Sequence, residues 1–317
     1  MNKINQHVNA TSVQEAVSAL GTGSAIIAGG TDILCTLKGM IYSNPPTKLV
    51  NIKTIPGLEY IQEESGTLKI GALTRLTAIY ESTIVSSKYP ALAEAAHKVG
   101  TPQLRNMGTI AGNLCQAVRC WYYRAEHNEF YCLRKGGLLC YMVPGNNKKH
   151  SALWGAGGCF AVCPSDCAPV LVALGATIVT NQRSFPIADL YGGLANTLAT
   201  NEVITEIQVP APAAGTKQVY KKWAWRKAID FPEVSVAVIA TISGGNVSDA
   251  KIVLGGVSPI PWRATNAENF IKGKAINEAN AIAAGDEAVK GATALPHNKY
   301  KIQITKGMVK KALLALV

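Results

Sequence analysis

Ile26-Ile27-Ala28-Gly29-Gly30-Thr31-Asp32-Ile33-Leu34 decides how the first part of this chain folds. Ala25, Ile26 and Ile27 read as a short buried strand, and Ala28–Asp32 as a tight loop. Ile33, Leu34 and Leu37 suit a following helix. A strand that runs through glycines into a helix is a physical cradle for phosphate. Missing Cβ atoms let an anion approach backbone N–H groups, and the helix start adds a favourable dipole. The motif is neither G-x-G-x-x-G nor a P-loop, and by itself it could equally be an ordinary turn. Asp32 sits near the start of the helix.

Upstream, Ser12-Val13-Gln14-Glu15 forms a capping box before Val13, Ala16, Val17 and Leu20, which share one helical face. Downstream, Lys48–Ile52 reads as a strand, and Gly57 marks a first boundary. Leu58–Gln62 and Thr67–Ile70 form a hairpin, and Pro90–Val99 a helix that stops at Gly100. Residues 101–113 form a loop-rich stretch with a second glycine-containing loop at 108–113. Residues 116–163 are aperiodic. A stretch of that length inside a compact domain is normally functional or disordered. Regular structure resumes with a helical run at Ala168–Ala176 and a strand at Thr177–Thr180. Pro210–Gly215 is the clearest linker. Beyond it lie strands at Val234–Ser243 and Ala250–Gly255, and helices at 276–290 and 303–316.

Seven of the eight cysteines fall between Cys115 and Cys167, and only Cys35 stands apart. No C-x-x-C pair occurs, so zinc-ribbon, thioredoxin and bacterial ferredoxin spacings are absent. The crowding points to metal ligands without naming the metal. The 317 residues carry 31 Lys and Arg against 20 Asp and Glu, but no apolar run long enough for a membrane span. The first residues lack a signal peptide, so a reducing cytoplasmic setting is expected, where clustered cysteines bind metal more often than they pair.

The basic excess concentrates in residues 290–317, with six lysines and no acid, and in 119–150, with Arg119, Arg124, Arg134, Lys135, Lys148 and Lys149. Such runs usually mark a solvated face. The sharper alternative is a surface facing an anionic cofactor or an acidic partner subunit. Nucleic acid is not expected, because no basic stripe with interleaved aromatics is present. No Ser-His-Asp, H-E-x-x-H or paired-carboxylate arrangement suggests hydrolysis. The scattered His7, His97, His127, His150 and His297 read as surface residues.

The Ile26–Leu34 stretch, Gln103–Leu114, Pro164-Ser165-Asp166-Cys167-Ala168-Pro169, Thr205–Pro210, Arg226–Pro232 and Leu254–Arg263 together resemble the FAD-binding medium subunit of the molybdenum hydroxylases. That family includes xanthine dehydrogenases, carbon monoxide dehydrogenases and aldehyde oxidoreductases. The resemblance implies an α+β fold: a two-part FAD-binding domain of the vanillyl-alcohol-oxidase (PCMH) type, then a C-terminal α+β domain like that of the CO dehydrogenase flavoprotein. The boundaries expected are 1–57, 58–212 with an insertion at about 116–163, and 213–317.

It further implies diphosphate binding by Ile26, Ile27, Ala28, Gly29, Gly30, Thr31, Asp32 and Ile33, and by Thr109, Ile110, Ala111, Gly112 and Asn113. Ala111 replaces the usual first glycine there and requires φ below zero. Thr101 matches a position that touches the cofactor. Asp166 matches an acid that accepts ribose hydroxyls, and Lys222, or else Lys221, matches a lysine on the flavin side. The roughly fifty-residue insertion before Pro164 resembles the β subunit of 4-hydroxybenzoyl-CoA reductase, which carries an additional 4Fe–4S cluster. Its ligands would be Cys120, Cys132, Cys140 and Cys159. Cys163 and Cys167 compete for the last position, and Cys115 and Cys35 read as packing. Trp121, Tyr122 and Tyr123 would shield the cluster or flavin, with Trp121 the candidate flavin contact, whereas Trp223 and Trp225 alternate like strand residues and read as packing.

The implied partners are a large molybdopterin subunit, a small 2Fe–2S subunit and an external carrier, ferredoxin or NAD, with no nucleic acid and no membrane. Organic substrate chemistry would belong to the large subunit, so no catalytic residue is expected on this chain. An aldehyde or purine (xanthine) dehydrogenase FAD subunit is the nearest alternative. A stand-alone FAD enzyme and a zinc-bearing basic scaffold stay open as more distant readings.

Overall fold

A computed structural model describes all of residues 1–317. Three sheets organise the chain. The first is parallel, with Ser24–Ile27 and Gln6–Asn9 flanking Lys48–Asn51. Its short strands are joined by helices, as parallel neighbours require. The helix Val13–Ala19 opens with Ser12 accepting the Glu15 N–H at 3.1 Å, while the Glu15 carboxylate reaches back to the Thr11 N–H at 2.7 Å. The capping box is therefore displaced by one residue on its return bond. Ala10, Ala16, Val50, Ile52 and Ile55 form a small core beneath it.

The second sheet is antiparallel, with Thr67–Gly71 and Thr177–Thr180 on either side of Ile204–Pro210. Ile61–Glu64 and Ser184–Pro186 complete its edges. Its inner face packs on Pro90–His97 and Cys167–Ala173, and their alanines let helix and sheet approach closely. The third sheet pairs Thr216–Trp223, Val234–Ser243, Asn246–Gly255 and Trp262–Arg263 in sequence order. Val234, Val236, Val238 and Ala240 alternate onto one buried face, covered by the helices Thr265–Ile271, Glu278–Ala288 and Tyr300–Leu314. No helix is long and apolar enough to cross a membrane.

Two sequence expectations change here. Residues 101–113 are not loop-rich. They form two short helices, Pro102–Met107 and Ile110–Cys115, capped by Thr101 and Thr109. Pro102 at the first helical position and a Thr before each helix were the relevant signals, masked by the shortness of the runs. Ala111 lies inside the second helix, so its φ is compatible with an alanine. In the insertion, a helical turn at Trp121–Arg124 and a hairpin of Ser151–Ala156 with Cys159–Ala161 punctuate otherwise irregular backbone. Leu153 and Trp154 of that hairpin join the C-terminal core, where Trp154 stacks on Trp262 with ring centroids 4.8 Å apart. Trp225 departs from the strand pattern. It lies beyond the strand end, is 53% exposed and donates from its indole N–H to Glu233 at 3.1 Å.

Candidate cofactor sites

The two glycine-containing segments meet. A Cβ placed on Gly29 would fall 2.1 Å from the Met107 carbonyl oxygen and 3.1 Å from the Gly108 Cα. Glycine is thus required at 29 by contact between the two loops, and Gly30 by its left-handed φ of 75°. The N–H groups of Gly29, Gly30, Thr31 and Asp32 donate to no other backbone group. Four consecutive free donors, on a loop held by a neighbouring loop, form a cradle suited to an anionic oxygen cluster. Across from them, Thr109 caps its helix by accepting the Gly112 N–H at 3.2 Å. Asn113 accepts from the Ser165 hydroxyl at 2.5 Å, which joins the second loop to the Pro164-Ser165-Asp166 turn. Thr101 accepts from the Leu104 N–H at 3.4 Å, and the Gly100 carbonyl receives the Ile229 N–H from the C-terminal domain.

Three of the expected cofactor residues are occupied otherwise. The Asp32 carboxylate accepts from Arg124 at 2.7 Å, Arg119 at 2.9 Å and the Ala117 N–H at 2.8 Å. It anchors the root of the insertion rather than presenting a free charge beside the loop. Asp166 is buried, with one oxygen accepting from the Tyr220 hydroxyl at 2.5 Å and the other from Lys222 at 2.7 Å. Burial raises its carboxyl above the ordinary range, with Lys222 and Tyr220 opposing that rise. Lys222 also donates to the Lys98 carbonyl at 2.9 Å. Asp166 and Lys222 therefore pin the third sheet to the turn that precedes the helix Cys167–Ala173. Lys221 is exposed on the opposite face of its strand.

The cysteines divide into two groups. Cys120 and Cys159 share a small buried cluster against which Cys140 packs, and Cys120 feels Cys159 and Cys132 electrostatically. Burial pushes the Cys120 thiol up to about 11. The Cys140 thiol lies beside Cys159 and is raised by that neighbour and by burial, while Cys159 is drawn down by Cys140 and by Arg134. Arg134 donates from Nε to the Cys159 sulfur at 3.2 Å, and the Ala161 N–H donates to the same sulfur at 3.4 Å. The second group, Cys115, Cys163 and Cys167, lies near the half-buried Tyr191 instead. Cys163 and Cys167 belong to the main core, with Cys115 packed against it. Cys35 is exposed. No three His, Cys, Asp or Glu side chains lie close enough together to hold a single metal ion.

Lys135, visible in the sequence only as one member of a basic run, is set apart by its surroundings. It is only 8% exposed, its ammonium has no hydrogen-bond partner, and it lies within electrostatic reach of Cys132 and Cys120. A buried, unpartnered cation is costly unless an anion faces it. Its position directly after Arg134 and three residues past Cys132 was the available signal. Tyr122 and Tyr123 pack on the cysteine cluster, whereas Trp121 is 48% exposed and does not. Of the three aromatics, only the two tyrosines cover the cysteines.

Beside the cysteines opens a cleft of about 240 Å³, lined among others by Cys115, Tyr123, Arg134, Tyr191 and Leu194. His150, expected at the surface, is instead largely enclosed near Phe231, and burial pulls its imidazole down to about 4. The basic runs are also more internal than expected. Lys301 is fully buried, donating to the Ser151 and Gly256 carbonyls at 2.9 Å and facing Glu233 at 3.3 Å.

Comparison with known proteins gives the lineage. Residues 3–212 match the family model described as the FAD binding domain in molybdopterin dehydrogenase, and residues 218–316 that of the CO dehydrogenase flavoprotein C-terminal domain. The chain is 33% identical to the aldehyde oxidoreductase FAD-binding subunit of Escherichia coli, over 81% of this chain and 82% of that one. It is 32% identical to the carbon monoxide dehydrogenase medium chain of Hydrogenophaga pseudoflava, over 95% and 93%. A solved structure of carbon monoxide dehydrogenase from that organism superimposes with a TM-score of 0.79 at 30% identity, covering 100% of this chain and 98% of that chain. With a PCMH-type FAD-binding domain followed by a CO-dehydrogenase-flavoprotein C-terminal domain, the chain belongs to the FAD-binding oxidoreductase subunits of the molybdenum hydroxylase family.

Proposed function

We propose that this chain is the electron-transfer subunit of a cytoplasmic molybdenum hydroxylase or reductase, holding FAD and one 4Fe–4S cluster. It would pass electrons between an external carrier, ferredoxin or NAD, and a small 2Fe–2S subunit, which serves a large molybdopterin subunit. The reading is nearest to 4-hydroxybenzoyl-CoA reductase. The observation that carries it is the grouping of Cys120, Cys140 and Cys159 in one small cluster, with Cys132 within electrostatic reach of Cys120 and the orphaned Lys135 ammonium nearby. Four thiolates on a 4Fe–4S core make a net anionic unit, which supplies the partner that Lys135 lacks.

The free N–H groups of residues 29–32 would receive the FAD diphosphate, with Thr109, Gly112 and Asn113 on the facing segment. FAD supplies the conversion between one- and two-electron steps. This chain's own groups hold and orient: Gly29 lets the loops close, Asp32 ties the insertion to them, and Tyr122 and Tyr123 exclude water from the cysteines. An FAD subunit of an aldehyde dehydrogenase is the second reading, favoured by the identity to the Escherichia coli aldehyde oxidoreductase subunit. Iron, acid-labile sulfide and flavin analysis of the purified protein tests the proposal. About four irons and four sulfides with one FAD per chain support it. Flavin without iron leaves the aldehyde or purine dehydrogenase reading, and zinc without flavin overturns both.

A further inference from the structure

Arg134 divides its guanidinium between two structures. Nε donates to the Cys159 sulfur at 3.2 Å, while Nη1 and Nη2 donate to the Leu194 and Gly193 carbonyls at 2.5 Å each. The two carbonyls belong to the segment that walls the cleft, so the loop dictates where the charge sits against the sulfur. Lys135, the next residue, approaches from the Cys132 and Cys120 side, its ammonium 5.6 Å from the Tyr123 ring centroid. Its backbone N–H is fixed on the Cys132 carbonyl at 2.8 Å. Two adjacent basic residues thus approach the cysteines from different sides, Arg134 at Cys159 and Lys135 within electrostatic reach of Cys132 and Cys120.

We infer that Arg134 and Lys135 are positioning residues that raise the reduction potential of the group held by these cysteines, with Arg134 set in place by the Gly193–Leu194 carbonyls. This rests on the 4Fe–4S reading above. Each reduction adds one electron, and so one negative charge, to an already anionic cluster. A fixed cation or an N–H···S bond stabilises the more negative state more than the less negative one. In a small apolar cluster that includes Val118, Met142 and Phe160, the effect is weakly screened. The bonds of Arg134 run to Cys159 and the Gly193 and Leu194 carbonyls, and Lys135 lies against Tyr123 and is held on Cys132, so the inferred action is on the cluster rather than on flavin binding.

The test is a redox titration of the cluster, followed by electron paramagnetic resonance, in the intact multisubunit complex. Wild type is compared with Arg134→Gln, Arg134→Lys and Lys135→Gln, each checked for iron, sulfide and FAD content. The inference expects a more negative midpoint in Arg134→Gln and Lys135→Gln, and a smaller shift in Arg134→Lys, which keeps the charge but loses the fork. If Arg134→Gln does not assemble its cluster, Arg134→Lys and Lys135→Gln decide. Full iron content with unmoved midpoints in the charge-removing variants overturns this inference and leaves the cofactor assignment standing. A wild-type protein without iron overturns both.

Discussion

Asp32 and Arg124 are 92 residues apart in the chain and meet at 2.7 Å. The first belongs to the opening glycine loop, the second to the insertion, and Arg119 binds the same carboxylate. Burial draws the Arg119 guanidinium down to about 10 against the pull of Asp32, so removing the acid leaves a poorly solvated cation behind. Asp32→Ala should therefore destabilise the protein by about 2–4 kcal/mol, somewhat below the cost of breaking a fully buried pair, since all three side chains keep a partial exposure. Urea unfolding measures it, and a change below about 0.5 kcal/mol would sink the latch.

Cysteine substitutions should sort by location. Cys132→Ser should lose the iron while FAD largely remains, because the proposed flavin cradle lies in separate loops. Cys163→Ala should keep its iron, since Cys163 belongs to the core around Tyr191. Its cost should instead appear as about 1 kcal/mol of stability from a small lost contact. Iron loss in Cys163→Ala with retention in Cys132→Ser would reverse the ligand assignment.

Gly29→Ala should lower FAD retention. Its new methyl would overlap the Met107 carbonyl, a backbone atom that cannot rotate away, so the two loops must part. A stability loss of about 1–3 kcal/mol is expected from the overpacking. Flavin absorbance after gel filtration reads the first effect, and unchanged flavin content would show that the loops need not touch.

His150 should make the protein acid-sensitive. Its imidazole, near Glu233, Lys301, Lys149 and Arg119, is pulled from 6.5 down to about 4 mainly by burial. The unfolded chain then takes up a proton before the folded one does. Stability is full above about pH 6.5 and falls by about 2–3 kcal/mol as pH drops toward 4. His150→Phe should flatten unfolding free energy measured across that window; an unchanged slope would assign the acid loss to other groups.

Several of these relationships were legible in part. The Ile26–Leu34 run carried its strand, loop and helix, and the cysteine crowding marked out the insertion. Thr101 and Thr109 were visible cap residues, yet six-residue helices offer too few turns for periodicity to register. Asp166 carried a motif identity but not its partners, because Tyr220 and Lys222 reach it from more than fifty residues away.

The sequence alone determined the order of elements, the glycine loops and the supply of thiols, since these follow from local periodicity, missing Cβ atoms and composition. Tertiary structure decided which cysteines lie near one another, that Asp32 and Asp166 serve as anchors, and that Arg134 donates to the Cys159 sulfur. Those outcomes depend on charges and donors brought together across long chain separations. Their physical cause is desolvation: a buried ion or polar group must find a partner, and only the folded backbone fixes which partners are within reach.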